Sequence, residues 1–250
     1  MPQFYLAGDW AQSKLPKLQV PIDRDLAHHL RVRRIGPDDV FTVFDGQGYA
    51  AVGRLSKIND AYPQIEIELI QEDRHRELPY YLELIQGLAG GDKMDWIIEK
   101  AVETGAASIT PIECERSVVK LINDPKRQEK RLAHWQAIAQ AACEQSDRSV
   151  IPKVTPIQYP RDTFKQSKAG LKILLSPTAT DSLHQFLNRH SPQSIAIAIG
   201  PEGGFSLEEE VSAKEAGFMA LSLGPRILRT ETAGIVTISA VESIWNLKES

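Results

Sequence analysis

Cysteine is scarce in this chain. Among its 250 residues only Cys114 and Cys143 are cysteines, and neither lies in a Cys-x-x-Cys pair or another metal-ligand spacing. A disulfide-stabilised scaffold and a structural zinc site are therefore not expected. Because free cysteines suit a reducing compartment, the expected location is the cytoplasm.

Long apolar runs are also missing. No stretch approaches the roughly 20 apolar residues of a membrane-spanning helix. The first ten residues, MPQFYLAGDW, lack the basic start and apolar centre of a secretory signal peptide. The sequence therefore indicates neither a membrane span nor a signal for secretion.

An excess of positive charge is absent, since the formal net charge is −4. The whole chain thus lacks the basic character typical of a nucleic-acid-binding protein. Binding to RNA would need local basic patches, and two candidates lie within residues 24–34 and 116–131. The alternative for each patch is a solvated helix face, which is the commoner reason for a charge cluster.

The remaining composition is that of a globular protein. Hydrophobic residues make up 42% and charged residues 25% of the chain, as in typical soluble domains. A length of 250 residues suits one large or two moderate domains. The polar stretch QEDRHRELP, residues 71–79, predicts a boundary, which gives domains over residues 1–73 and 74–250.

The first of these domains is predicted to be rich in β-strands. Asp23 can cap a helix that runs to Arg34. Residues 40–44 and 49–58 predict a hairpin around the turn Asp45-Gly46-Gln47-Gly48. A half-buried strand follows, in which Ile65, Ile67 and Leu69 alternate with glutamates. Short strands around a hairpin favour a small barrel.

The second domain alternates between strand-like and helix-like patterns, which is typical of an α/β fold. Strands are predicted over residues 81–86, 108–112, 171–175, 195–199 and 220–223. Helices are predicted to begin at Asp92, with a box-like start at Asp95, at Asp124-Pro125, at Ser206 with Glu209, and at Thr230. Gly105 and Gly217 are the predicted ends of two of them.

Two glycine-bearing loops follow neighbouring strands of this domain. Residues 199–206 read IGPEGGFS, and residues 223–233 read LGPRILRTETA. Loops at the carboxyl ends of strands form the crevice where an open α/β sheet binds its ligand. A phosphate cradle is rejected, because Glu202 puts a carboxylate where a phosphate would sit and Pro201 has no N–H. A neutral or cationic ligand, or one held by its ribose hydroxyls, fits better; a tight turn capped by Ser206 is the alternative.

The two motifs in this order resemble those of the SPOUT, or trefoil-knotted, methyltransferases, and specifically the ribosomal RNA small subunit methyltransferase E family. The resemblance covers nearly the whole chain. HHLRVRRIGPDDVFTVFDGQG resembles the family's N-terminal PUA-like barrel, which helps to hold RNA. GGDKMDWIIEKAVETGA, ECERSVVK and EQSDRS resemble its first helix, next basic loop and long-helix end. The helix ending Val102-Glu103-Thr104-Gly105 departs from the family's Thr-Glu-Leu-Gly-like ending, away from the cofactor motifs.

This resemblance implies a fold and an activity. The expected fold is α/β: a C-terminal SPOUT domain with a parallel sheet and a deep trefoil knot, after an N-terminal PUA-like β-barrel. The expected activity is methylation of N3 of a uridine in 16S ribosomal RNA, uridine 1498, with S-adenosyl-L-methionine as the methyl donor. The expected substrate lies in the small ribosomal subunit, and the expected assembly is a homodimer. Gly234, Ile235 and Ile238 offer a face for it, unless they pack within the chain.

The resemblance also implies the binding residues. The cofactor is expected in three loops, whose residues are Leu175, Ser176, Ile199, Gly200, Pro201, Glu202, Gly203, Gly204, Leu223, Gly224, Arg226, Ile227, Leu228, Thr230 and Ala233. From their charge, the residues expected to hold RNA are Arg31, Arg33, Arg34, Arg116 and Arg148. A surface ion network is the alternative for Arg116 and Arg148. Glu144 and Gln145 are supporting candidates, and His28 and His29 are as readily packed or solvated as functional.

Two residues are the catalytic candidates. N3 of uridine carries a weakly acidic N–H, and loss of this proton leaves negative charge that Arg229 could stabilise. The alternative role for Arg229 is to place the phosphate of the uridine. Glu231 is the candidate general base, and Glu202 competes for that role, with binding of ribose as its alternative. Thr230 is also placed to cap the last helix, where a carboxylate such as Glu231 is favoured in the first turn for structural reasons alone.

Three other functions compete. One is a different SPOUT RNA methyltransferase, such as one that methylates tRNA ribose. A second is a non-catalytic RNA-binding protein of ribosome assembly. The third is a nucleotide-dependent oxidoreductase, for which neither glycine loop has the spacing of a phosphate-binding fingerprint.

Overall fold

The computed structural model describes residues 2–11, 17–37, 39–57 and 64–249, with side chains described up to residue 245. The chain forms two compact units. The first contains residues 1–77 and 143–151, and the second contains residues 78–142 and 152–250. The first unit therefore includes a segment that a linear division at one boundary assigns to the second.

The described part of the first unit contains a five-stranded sheet of order β1-β3-β4-β5-β2. Strand β1 runs parallel to β3, and the other pairs are antiparallel. A core of large apolar side chains lies against it, led by Phe4, Leu30, Phe41, Ile65 and Ile67. The elements are β1 Gln3–Tyr5, β2 Lys17–Pro21, α1 Arg24–Val32, β3 Val40–Phe44, β4 Tyr49–Lys57 and β5 Gln64–Glu72.

The predicted hairpin of β3 and β4 is confirmed. Its turn is held by Asp45, whose Oδ1 accepts hydrogen bonds from the backbone N–H of Gln47 at 2.7 Å and of Tyr49 at 3.1 Å. Gly46 and Gly48 supply the positive φ angles of 78° and 107° that the turn requires. Ile58, the predicted last residue of the second strand, lies outside the described residues.

The prediction that Leu69 faces the core is wrong. Its backbone has a φ of 56°, and its side chain is exposed. The register shows why: Ala50 and Val52 pair with Gln71 and Glu68, so β5 has one residue more than β4 between these pairs. Such a β-bulge reverses the alternation beyond it, and Ile70 packs against the core instead.

The helix before this hairpin is α1. Asp23 caps it as predicted, since its Oδ1 accepts a 2.8 Å hydrogen bond from Leu26 N–H. The helix ends at Val32 rather than at Arg34, because Arg34 adopts a φ of 58° that a right-handed helix does not allow.

The second unit is built on a parallel sheet. Within the described residues it has six strands in the order β11-β9-β10-β6-β7-β8. All of their pairings are parallel. The elements are β6 Leu82–Gly87, α2 Lys93–Glu103, β7 Ser108–Ile112, α3 Pro125–Ser146, β8 Lys153–Val154, α4 Pro160–Gln166, β9 Leu171–Leu175, α5 Leu183–Arg189, β10 Ile195–Ile199, α6 Leu207–Glu215, β11 Met219–Leu221 and α7 Thr230–Glu249.

Helices cover both faces of this sheet. On one face Ile85, Ala196 and Ala198 pack with Phe164 of α4 and Ala213 of α6. On the other face α7 contacts β10, α2 and α5. Ile238, Val241 and Trp245 of α7 are fully buried. The predicted dimer residue Ile238 therefore packs within its own chain.

The predicted helix starts are partly correct. Ser206 and Glu209 form the expected capping box of α6, and Asp124 Oδ1 accepts from Arg127 N–H at 3.1 Å at the start of α3. Asp92 precedes α2 but makes no side-chain capping bond. Asp95 does not close a capping box either, since it accepts hydrogen bonds from Trp135 Nε1 at 3.1 Å and pairs with His134. Among the described residues no helix is long and apolar enough to cross a membrane.

Candidate active site

A cleft lies where β9, β10 and β11 end. It has a volume of about 600 Å³, within the range of small-molecule sites. The carboxyl ends of adjacent parallel strands meet at one edge of the sheet, so the loops that follow them surround one space. The first turn of α7 closes its side.

The structure brings together all of the residues predicted for the cofactor. Arg229, Glu231 and Arg116 line the same cleft. The cofactor residues on its wall are Leu175, Ser176, Ile199, Gly200, Pro201, Glu202, Gly203, Gly204, Leu223, Gly224, Arg226, Ile227, Leu228, Thr230 and Ala233. Their individual roles remain predictions. The sequence reasoning missed several further lining residues, which are Lys93, Pro177, Thr178, Phe205, Glu210, Leu221 and Ser222.

The loop after β10 is tightly folded against β6. A Cβ atom on Gly87 would lie 2.5 Å from the nitrogen of Pro201, so only glycine permits this approach. Gly204 has a φ of 68°, and its N–H donates to the carbonyl of Pro201 at 2.9 Å. These contacts constrain the backbone of the loop.

A neighbour within the chain explains why position 203 requires glycine. A Cβ atom at this position would lie 2.8 Å from Cβ of Arg116. The Nη1 atom of Arg116 donates to the carbonyls of Gly203 at 3.2 Å and Phe205 at 3.1 Å. Arg116 therefore braces the loop, which gives this arginine a structural role beside its predicted contact with RNA.

Glu202 is held by two donors. Its Oε1 accepts hydrogen bonds from Lys93 Nζ at 2.7 Å and from Gly90 N–H at 3.0 Å. Partial burial by itself raises the pKa of this carboxyl, but the hydrogen bond and charge of Lys93, with backbone N–H donors, leave the pKa below its usual value. Glu202 is therefore ionised, and Lys93 supplies a counter-charge that the sequence motifs did not reveal. The position of Lys93 at the start of α2, within GGDKMD, was the sequence signal that could have identified it.

The loop after β11 carries exposed cations. Gly224 has a φ of 116°, and the Ser222 side chain bonds both its N–H and its carbonyl. The side chain of Arg229 is 83% exposed, and its Nη1 lies 4.0 Å from Oε1 of Glu231. Ile227 is also largely exposed. This loop thus presents Arg229 to solvent at the edge of the cleft.

Thr230 does not have the predicted capping role. It is the first residue of α7, and the backbone carbonyl of Arg229 receives the first helical bonds. The Oγ1 atom of Thr230 donates to the carbonyl of Gly200 at 2.6 Å and accepts from Nε2 of Gln86 at 2.9 Å. The hydroxyl is turned toward the other loop, so it is not available to cap its own helix.

Glu231 differs from the other carboxylates of the cleft. Its side chain is only 15% exposed. Its Oε2 atom is buried and has no hydrogen-bond partner among the described residues. A position in the first helical turn favours the negative charge. A buried carboxylate oxygen that lacks a donor is suited to accept a hydrogen bond or a proton from a ligand.

The other predicted RNA residues belong to the first unit. Arg31, Arg33 and Arg34 are exposed at the end of α1 and just beyond it. Arg148 is different, and its prediction is wrong: the side chain is 2% exposed and forms two hydrogen bonds with the carboxylate of Glu77. A buried, bidentate arginine has no surface left for a phosphate.

The supporting candidates of the first unit have structural contacts. Glu144 accepts from Tyr5 N–H at 3.0 Å and lies 3.8 Å from His29. The ring of His29 packs edge-on against Phe4. His28 and Gln145 are exposed. These contacts explain Glu144 and His29 by packing.

Comparison with protein families gives two matches. An RNA methyltransferase domain matches residues 76–242, and an RNA methyltransferase PUA domain matches residues 22–68. The chain is 32% identical over 227 residues to ribosomal RNA small subunit methyltransferase E of Buchnera aphidicola subsp. Schizaphis graminum, covering 89% of each chain. It is also 32% identical to the protein of that name from Bacillus subtilis, covering 87% of this chain and 86% of the relative.

Solved structures agree with these relatives. Ribosomal RNA small subunit methyltransferase E from Neisseria gonorrhoeae, bound to S-adenosyl methionine, is 36% identical, with a TM-score of 0.86 and 98% of both chains covered. A Legionella pneumophila protein solved with the cofactor SAM is 30% identical, with a TM-score of 0.87 and 96% of both chains covered.

Proposed function

The chain belongs to the ribosomal RNA small subunit methyltransferase E family, and from this membership we propose how and where it acts. It is an S-adenosylmethionine-dependent methyltransferase of ribosomal RNA. We propose that it methylates N3 of uridine 1498 in 16S ribosomal RNA, within the small ribosomal subunit and in the cytoplasm. The observation that carries the proposal is the cleft, in which the buried Oε2 of Glu231 has no partner among the described residues.

The residues of the cleft fit this cofactor. Its wall carries the carboxylates of Glu202, Glu210 and Glu231 beside the cationic side chains of Lys93, Arg116, Arg226 and Arg229. Carboxylates suit the positive sulfonium of S-adenosylmethionine, and the cations suit the carboxylate of its amino-acid part. When bound, the cofactor supplies an activated methyl group. The constrained backbone of residues 200–204 and the loop of residues 223–229 would hold it, and the helices around the cleft would exclude water.

The chain's own part in the reaction is to align the base and manage one proton. N3 takes part in base pairing, so the uridine must be unpaired before it is reached. Glu231, shielded from solvent and unpartnered at Oε2, is the proposed acceptor of the N3 proton. Arg229, exposed beside it, is the proposed partner for the negative charge that spreads onto the carbonyl oxygens of the base.

RNA is proposed to bind through both units. Arg31, Arg33 and Arg34 provide exposed positive charge in the first unit, and the PUA match covers the segment that contains them. Arg116 provides it at the cleft. The domain limits 1–73 and 74–250 belong to this proposal, with the end of the long helix assigned by contact to the first unit.

A knot and a homodimer complete the proposal. After β11 at the sheet edge, the chain returns to pack α7 against β10 and α2, which is the path that a threaded last segment needs. Trp96 of α2 and Val236 of α7 are exposed apolar residues on two helices that contact each other. Their exposure favours the proposal that a second copy of the chain packs against this surface. Light scattering tests the dimer. An experimental structure tests the knot: a knotted backbone trace does not reduce to a straight line when its two ends are drawn apart.

The decisive experiment uses small-subunit particles that lack the modification. Incubation with the protein and S-adenosylmethionine, followed by digestion and nucleoside mass spectrometry, should yield 3-methyluridine at one position. A 2′-O-methyl product would favour a different SPOUT activity instead. The absence of any methylated nucleoside, together with no heat of cofactor binding in calorimetry, would favour a non-catalytic assembly protein.

A further inference from the structure

A buried hydrogen-bond relay joins the two loops of the cleft. Nε2 of Gln86, on the central strand β6, donates to Oγ1 of Thr230 at 2.9 Å, and this hydroxyl donates to the carbonyl of Gly200 at 2.6 Å. Gln86 is 0% exposed and Thr230 6% exposed. Gln86 does not line the cleft, so it reaches the site only through Thr230.

The direction of the relay is fixed by chemistry. The carbonyl of Gly200 can only accept, so the Thr230 hydroxyl must donate its single proton there. The hydroxyl oxygen then needs a donor, and the amide nitrogen of Gln86 supplies it. The same nitrogen donates to the carbonyl of Gly87 at 3.0 Å. Replacement of either side chain by an apolar one therefore breaks the connection.

The amide of Gln86 is only partly explained by stability, since its nitrogen donates two hydrogen bonds while its oxygen makes none. It lies on the sheet face that α7 covers, where Leu84 is its neighbour near Gly234. Its Oε1 atom is buried and has no partner among the described residues. A buried acceptor without a donor is unfavourable, and an apolar side chain of similar size would avoid that cost. A polar residue at such a position indicates a role beyond folding.

The position of Thr230 indicates what that role is. It lies between Arg229 and Glu231, the proposed catalytic residues, while Gly200 begins the loop that runs to Gly204. The relay thus sets where the first turn of α7 lies relative to that loop. A small error in such alignment can cost a large part of the rate.

We propose that Gln86 and Thr230 are positioning residues for methyl transfer, which act by locking the first turn of α7 to the carbonyl of Gly200. This inference rests on the proposed function of the cleft. The relay contributes alignment of Arg229 and Glu231 and makes no direct contact with the base.

The first test compares two variants at one position. Thr230→Val keeps the shape of the side chain and removes both hydrogen bonds. Its single-turnover rate should fall roughly 10- to 100-fold, with a much smaller change in the dissociation constant for S-adenosylmethionine. Thr230→Ser retains the hydroxyl and should recover most of the lost rate. Equal rates in the valine and serine variants would overturn the proposal.

The second test separates positioning from folding. Gln86→Leu removes two hydrogen bonds of the amide nitrogen and also the unpartnered oxygen. These effects on stability oppose each other, so the melting temperature should change little while the methyl-transfer rate falls. The proposal is wrong if the rate stays within about twofold of the unmodified protein. It is also wrong if the loss of rate equals the loss of folded protein at the assay temperature, because Gln86 is then a packing residue.

Hydrogen exchange distinguishes this inference from the proposed function. Amide exchange of residues 200–204 and 229–233 should quicken in Thr230→Val and Gln86→Leu relative to Thr230→Ser, whether or not any RNA is methylated. If the unmodified protein binds S-adenosylmethionine but methylates no uridine, the proposed function fails while the relay is still tested by exchange. Unchanged exchange in both variants would refute the relay itself.

Discussion

At the scale of single residues, two charged groups of the cleft that are close in sequence differ in exposure. Arg229 is exposed while Glu231 is nearly buried, although only Thr230 lies between them. The sequence offered a structural reason for Glu231, which is its place in the first helical turn. It did not reveal that the Oε2 atom is buried without a hydrogen-bond partner among the described residues. Because burial depends on the surrounding loops, only the structure distinguishes the two roles.

Arg229 should contribute mainly to the transition state. If it stabilises the deprotonated uridine, Arg229→Ala should lower the single-turnover rate by about 100-fold or more with little change in cofactor affinity. Arg229→Lys should recover only part of the rate, since an ammonium cannot reproduce the guanidinium fork. Rapid-quench methylation of small-subunit particles measures this. A rate loss that follows weaker cofactor binding would contradict the assignment.

Glu231 should act on the proton. Glu231→Gln should slow the chemical step, and a higher pH should restore part of the rate as uridine ionises without help. If Glu231 serves only the helix terminus, the same change should cost about 0.3–1 kcal/mol of stability and leave the rate intact. The pH profile of the single-turnover rate, with chemical denaturation alongside, separates the two outcomes.

At the scale of elements, the predictions succeeded where local sequence sets the structure. Strands β7, β9 and β10 have the predicted limits, and the capping box of α6 is present. In these segments, apolar runs and capping residues give a local signal. The short elements β8, α4 and α5 were not predicted, because two to seven residues carry too little periodicity. The reversal at Leu69 depends on pairing with β4, which no local pattern records.

The site was predictable to a similar degree. The motif residues do surround one cleft, because loops at the ends of adjacent parallel strands meet. The contacts that support them were not predictable: Lys93 with Glu202, Gln86 with Thr230, and Arg116 with Gly203 join residues far apart in the chain. Such pairs depend on tertiary structure. Thr230 shows the conflict directly, since its local capping preference yields to a partner from another loop.

The link between α2 and the loop after β10 should be sensitive to acid. The folded structure lowers the pKa of Glu202 below its ordinary 4.5, so the ionised form stabilises the fold above that pH and the contribution is lost as pH falls through the lower, folded-state value. Glu202→Gln should therefore be less stable than the unmodified protein at pH 7, and the difference should shrink below pH 4.5. Urea unfolding at several pH values measures it. Exposed Glu129→Gln on α3 is the matched control, and an equal deficit at all pH values would contradict the ion pair.

At the scale of the whole molecule, charge has to be reconciled with an RNA substrate. The chain is acidic overall, with a formal net charge of −4, so its average field repels RNA. Arginines concentrated in a few places can still bind phosphates locally. The burial of Arg148 removes one of the expected contacts, which leaves the exposed group at α1 and Arg116 at the cleft.

The salt dependence of binding should show which of these arginines contact phosphates. Each neutralised phosphate of a single strand adds about 0.7 to the slope of log affinity against log salt. Replacement of Arg31, Arg33 and Arg34 together by glutamine should therefore flatten the slope for a 16S ribosomal RNA fragment by up to about two units. The affinity for S-adenosylmethionine should depend only weakly on salt, because binding at that site releases few counterions. Arg148→Gln is a poor control, since loss of its buried pair with Glu77 destabilises the first unit. Exposed Arg189→Gln at the end of α5, outside both basic stretches, is the better one, and an unaltered slope in the triple variant would move the RNA surface away from α1.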